Sequence, residues 1–247
     1  MEVHAHSHTP GKKWTHYLWE FLMLFLAVFC GFLAEYQLEH KIERDREQEY
    51  IHTMISDLAE DTTALTDFIS IYRQKGIEVD SLIFLLNSPD IKNNGNSVYY
   101  YGRKASRLGF FSCTDRTIQQ MRNSGAFRLV RNNNAANGIL RYYSAINGLN
   151  NIHEVTNVMI DEYRQVSHTI FNAVIFQTMV NDSTANIVIR PAGNPSLVTY
   201  DRPAVLHIIS ILHYLQGGRM GIQKRYTDLK ANAAELITLL KTEYHIQ

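Results

Sequence analysis

The chain of 247 residues carries 24 basic and 24 acidic side chains and a formal net charge of zero, with no block of like charge, so the electrostatic footprint of a nucleic-acid binder is missing. This length buries a core without help from disulfides or metal, and the two cysteines, Cys30 inside an apolar run and Cys113 far from it, are not read as a bridge. Thirteen glycines, five prolines and long stretches free of either point to a mostly helical chain.

Residues 1–13 form a short tail containing His4, His6 and His8. Alternate histidines on such a tail lack the surrounding hydrogen bonds that orient metal ligands, so no metal site is read there. Residues 14–36 follow as an apolar run, "WTHYLWEFLMLFLAVFCGFLAEY", which as a helix spans about 33 Å, close to the ~30 Å hydrocarbon thickness of a bilayer. Trp14, Tyr17 and Trp19 cluster at one end and Tyr36 stands at the other, where amphipathic rings prefer the headgroup level. Lys12 and Lys13 resemble the n-region of a secretory signal, but bulky Phe32 stands three positions from the exit, where a cleavage site needs a small residue. Phe29 before Cys30 likewise argues against a lipoprotein. The run reads as an uncleaved signal anchor.

Glu20 is the anomaly of this span. At 100° per residue Ala27, Gly31 and Ala34 fall within about 40° of Glu20, while Leu22, Phe25, Phe29, Phe32 and Leu33 lie on the far side. Membrane helices approach one another over small residues, so Glu20, Ala27, Gly31 and Ala34 are expected to form a contact face for a second copy or for a partner membrane protein. A carboxylate snorkelling beside His16, and a proton or ion path, are the competing readings of Glu20. Lysines and arginines flank both ends of the span, so orientation rests on the usual layout of a signal anchor: N-terminus cytoplasmic, the following domain exported.

Residues 37–50 carry charge on every face and suit a solvated helical stalk. Residues 51–247 read as a helical bundle. Ile51, Leu58, Leu65, Tyr72, Val79 and Leu86 recur at sevens, with Ile55, Ile69 and Ile83 alongside, until Asn87, Ser88 and Pro89 end the helix. Thr114 is placed to cap a helix starting at Asp115 that ends at Ser124 and Gly125. A long helix after Asn132–Asn134 is expected to reach about Val180, and residues 181–203 form an irregular insertion with a short strand pair. A helix from Ala204 to Gln216, a break at Gly217–Gly218 and a last helix complete the reading, with Ile222, Tyr226, Leu229, Ala233, Leu236 and Leu240 as the seam of an antiparallel bundle. The fold class is all-α.

The aromatic-Glu-apolar start of the span ("LWEFLMLFLAVFCGFLAEYQLE"), the charged exit ("EHKIERDREQEYI") and "TIQQMRNSGAFRLVRNNNAANGILRYY" together resemble uncharacterised single-span membrane proteins of Bacteroidetes-type bacteria. In that family a stretch L-x-x-S-G-x-h-x-x-h-x-N, with h apolar, precedes a helix ending in paired tyrosines. Met121, Ser124, Gly125, Phe127, Val130, Asn132, Tyr142 and Tyr143 occupy those places here, although this span is richer in phenylalanine. The resemblance implies an inner-membrane anchor with a helical domain outside the cytoplasm, and it carries over no activity.

Signals for chemistry are weak. Arg116, Arg122, Arg128 and Arg131 around the Ser124–Gly125 turn are the best cluster for an anionic ligand, with surface ion pairing as the plainer reading. Asp57, Glu60 and Asp61 are expected on the solvated face of their helix. His153, His168, His207 and His213 form no metal spacing, and "GGRMG" lacks the preceding strand of a phosphate loop. No catalytic residue, metal or cofactor is expected. Three function classes follow: a non-enzymatic, membrane-anchored assembly protein in contact with the lipid bilayer, as a homo-oligomer or an accessory subunit; a periplasmic ligand sensor working through a separate transducer; and a homo-oligomeric channel lined by Glu20.

Overall fold

The structure is a computed structural model and describes residues 14–181 and 184–246. The chain is all-α. In order it forms α1 (Trp14–Asn87), a 3-10 turn (Ile91–Asn93), α2 (Gly95–Ala105), α3 (Arg116–Asn123), a second 3-10 turn (Ala126–Leu129), α4 (Asn133–Ser167) and α5 (Ala173–Thr178). A two-stranded antiparallel pair, β1 (Val180–Asn181) and β2 (Thr184–Val188), and the last helix, α6 (Arg202–Glu243), follow. The chain divides after Tyr50 into two compact units.

In the first unit the described residues are helical throughout. Its most apolar 18-residue window has a mean hydropathy of 2.0, and none of that window is buried. Such a helix is long and apolar enough to cross a membrane. Phe21, Phe25 and Phe29 stack at successive four-residue steps, with ring centroids 6.3 and 5.9 Å apart.

The second unit is built on residues 51–87 of α1 together with α4 and α6. The predicted sevens from Ile51 to Leu86 are all at most 1 % exposed. Beside them Met54, Asp61 and Leu82 are buried, while Phe68 and Lys75 are half-buried, as are Ile55, Ile69 and Ile83 on the other side. The seam therefore takes in residues on both sides of the sevens, among them an acid and a lysine. Helix α6 runs antiparallel to α4: Gly138 lies against Leu236, His153 bonds Tyr226, and Gly218 faces Thr156. It is antiparallel to α1 as well, since Tyr72 meets Tyr226 edge to face with ring centroids 5.1 Å apart while Gln216 donates to the Gly76 carbonyl at 3.3 Å. Helices α1 and α4 thus run the same way, with α2 and α3 in the crossover between them.

Three local expectations change. Helix α4 ends at Ser167 and not near Val180, because Ile170 and Phe171 turn inward to the core and Asn172 caps α5 with its side chain. Helix α6 runs unbroken through Gly217–Gly218: buried Leu212, Leu215, Arg219 and Ile222 keep the helical period across the glycines, and packing outweighs a propensity cost of about 1 kcal/mol per glycine. Residues 95–105, unassigned from sequence, form α2. Gly102 is required there, since a Cβ at this position would collide with the Phe171 ring. The insertion does contain a short strand pair, and it docks on α2, where the Asn96 amide donates to the Pro191 carbonyl at 2.6 Å.

Candidate functional site

On the apolar helix Glu20, Ala27, Gly31 and Ala34 share one face by helical geometry and all are exposed. A Cβ added at Gly31 would meet nothing within 4 Å. His16 Nε2 lies 3.0 Å from Glu20 Oε1, one turn away. The face thus presents a carboxylate-imidazole pair followed by three small residues.

The arginines around the Ser124–Gly125 turn do not converge on open space. Arg116 reaches back to α1, where Nη2 donates to Asp57 Oδ1 and to Glu60 Oε1, both at 2.8 Å. Arg122, Arg128 and Arg131 are exposed. Both neighbouring helix starts already hold carboxylates of the chain itself. The Thr117 amide, in the first turn of α3, donates to Asp57 Oδ2 at 3.0 Å. At the start of α4, Asn132 and Asn134 donate to the two oxygens of Glu243 at 2.6 and 3.1 Å, holding its carboxyl below the usual range.

Asp57 and Asp61 are therefore not solvated, as expected from sequence, but are 2 % and 1 % exposed. Asp61 accepts from the Thr114 amide and from the Tyr142 hydroxyl, each at 2.6 Å. Burial pushes its carboxyl above the ordinary aspartate value, against the pull of those bonds. Thr114 is consequently a ligand of Asp61 and not a helix cap; α3 begins one residue later than expected and takes its cap from Asp57, about sixty residues upstream. Cys113, beside these acids, is half-buried, and burial pushes its thiol up to about 11, away from a reactive thiolate.

Sequence reasoning missed a polar layer across the bundle. Arg219, in the middle of "GGRMG", is 1 % exposed. Its Nη2 donates to the Ala105 carbonyl at 2.5 Å, while Nε and Nη1 make no hydrogen bond among the described residues. Burial pulls its pKa down to about 10, with Tyr72, Tyr163 and Glu78 acting the other way, so the guanidinium stays charged at neutral pH. Glu78 is held by Lys104 through Oε1 and lies 3.3 Å from Lys75 through Oε2, an oxygen left without a hydrogen bond. Lys75 at a seam position of the heptad was the available signal.

Among the histidines, His153 is buried against Tyr226, 3.0 Å away, and burial lowers its pKa to about 4. His168, His207 and His213 are exposed. His4, His6 and His8 lie outside the described residues, and among the described residues no cluster of metal-ligating side chains occurs. Comparison with family models, curated proteins and solved structures finds no match for the chain.

Proposed function

We propose that this is a non-enzymatic, single-pass membrane protein that assembles through its span with a second copy or with a partner membrane protein, its helical domain lying on the periplasmic side of a bacterial inner membrane. The observation that supports this reading is an apolar helix none of whose most hydrophobic window is buried among the described residues, with Glu20, Ala27, Gly31 and Ala34 aligned on one side. In lipid the bulky phenylalanine side is at home, whereas the carboxylate carries a cost of about 2.5–3.5 kcal/mol at the bilayer centre and less toward an interface, which a helix partner offsets. Charged residues around the bundle's helix starts serve the fold: Asp57, Asp61 and Glu243 take up the local donors.

The test is the native mass of the protein in mild detergent, extracted from cells at ordinary expression. An integer multiple of 28.5 kDa, or a larger species containing one reproducible second polypeptide, supports the reading. A strict monomer that brings down nothing reproducible overturns it.

A further inference from the structure

Helix α6 carries three glycines in five residues, Gly217, Gly218 and Gly221, and yet is continuous. A Cβ at Gly217 or at Gly221 would meet nothing within 4 Å, so packing does not call for glycine at either. Each weakens the helix relative to alanine without a compensating contact. The glycine run also falls between two parts of the core. Val205, Ile208, Ile209, Ile211, Leu212 and Leu215 join the apolar cluster with α2, the end of α1, the last turns of α4 at Ile160 and Tyr163, and Phe171, while buried Ile222, Tyr226 and the residues after them lie outside that cluster.

At the same level sits a set of buried polar atoms whose donors and acceptors are complementary but unjoined. Among the described residues Arg219 Nε and Nη1 make no hydrogen bond, nor do Gln216 Oε1 and Glu78 Oε2, the last of which faces Lys75 Nζ at 3.3 Å as an ion pair. Glu78 acts electrostatically on the Arg219 guanidinium, and Gln216 is one turn before it on α6. Buried charges left half-satisfied are costly, and an arrangement that joins them competes with the one observed.

We propose that α6 is hinged at residues 217–221 and that Arg219 is its latch. In the observed arrangement the guanidinium is held by the Ala105 carbonyl at the end of α2; in the second it passes to the Glu78 carboxylate on α1, displacing Lys75, as the two halves of α6 bend about the glycines. The hinge separates the half of α6 packed with α2 and the last turns of α4 from the half packed along the earlier turns of α4, so it is a two-state element inside the bundle domain. It does not depend on how the span assembles.

Hydrogen-deuterium exchange on the full-length protein in detergent tests this. The amides of 217–222 exchange faster than those of the turns on either side. The double variant Gly217→Ala/Gly221→Ala slows exchange there by roughly five-fold per substitution, since helix opening sets the rate. Glu78→Gln, which removes the charge that Arg219 would meet in the second arrangement, slows it further. Exchange at 217–222 as slow as in the flanking turns, or unchanged in the double alanine variant, overturns the hinge; faster exchange in Glu78→Gln overturns the latch, because it makes Glu78 a support of the observed arrangement only.

Discussion

Asp61 shows what a single charged side chain does in the middle of a seam. It satisfies a backbone amide and a tyrosine hydroxyl from two other segments, and removing it strands both in a buried place. Asp61→Ala is expected to cost about 2–3 kcal/mol in urea unfolding, whereas Glu60→Gln, on the exposed side of the same helix, changes stability by less than about 0.5 kcal/mol. His153 gives the bundle an acid limb. Its folded pKa, about 4, lies below the ordinary 6.5, so the unfolded chain takes up the proton first. Stability from this group is full above pH 6.5, falls as pH drops toward 4, and levels off below. Asp61, whose pKa is raised, acts with the opposite sign at lower pH, since there the folded form takes up the proton first. The difference between wild type and His153→Gln in unfolding free energy, measured from pH 7 to 4, isolates the histidine: the variant's profile is flatter over that range. These buried polar residues were the least legible in the sequence. An aspartate on a heptad helix is solvated by default, and only partners far along the chain, Thr114 and Tyr142, make it a core residue.

Among the elements, the helices with long apolar periods were legible and their limits were not. The sevens from Ile51 to Leu86 and the four-three alternation from Ile222 to Leu240 fall on buried faces because a long amphipathic helix has one way to bury its stripe. Half-buried Ile55, Ile69 and Ile83 share the flanks of this stripe with buried Met54, Asp61 and Leu82, and an acid among them is what apolar periodicity does not foretell. Gly217–Gly218 looked like a stop since propensity alone disfavours it, but tertiary contacts on both sides decided otherwise. Helix α2 is hard to see in the sequence "GNSVYYYGRKA" because its buried face, Val98, Tyr99, Gly102 and Ala105, is short and holds a glycine that is there to admit the Phe171 ring. That dependence is measurable: Gly102→Ala, which drives a methyl group into the Phe171 ring, is expected to destabilise the domain by about 1–3 kcal/mol and to lower its thermal midpoint.

For the whole molecule, the all-α architecture and a helix long and apolar enough to cross a membrane were both legible in the sequence, and none of the most apolar window of α1 is buried among the described residues. The proposed function rests on what that window meets. With Cys30 and Cys113 both replaced by serine, single cysteines placed at successive positions from Leu24 to Ala34 report which side of the apolar helix meets another helix. Oxidative cross-linking to a second copy, or coupling through a photoactivatable thiol-linked reagent to one partner polypeptide, is expected to peak at positions 27, 31 and 34 in native membranes, and Gly31→Leu is expected to abolish the pattern at the remaining sites while leaving the thermal midpoint of the helical bundle domain unchanged. Cross-linking that is absent, or that is spread evenly around the helix with no helical period, would contradict assembly through the Glu20 face.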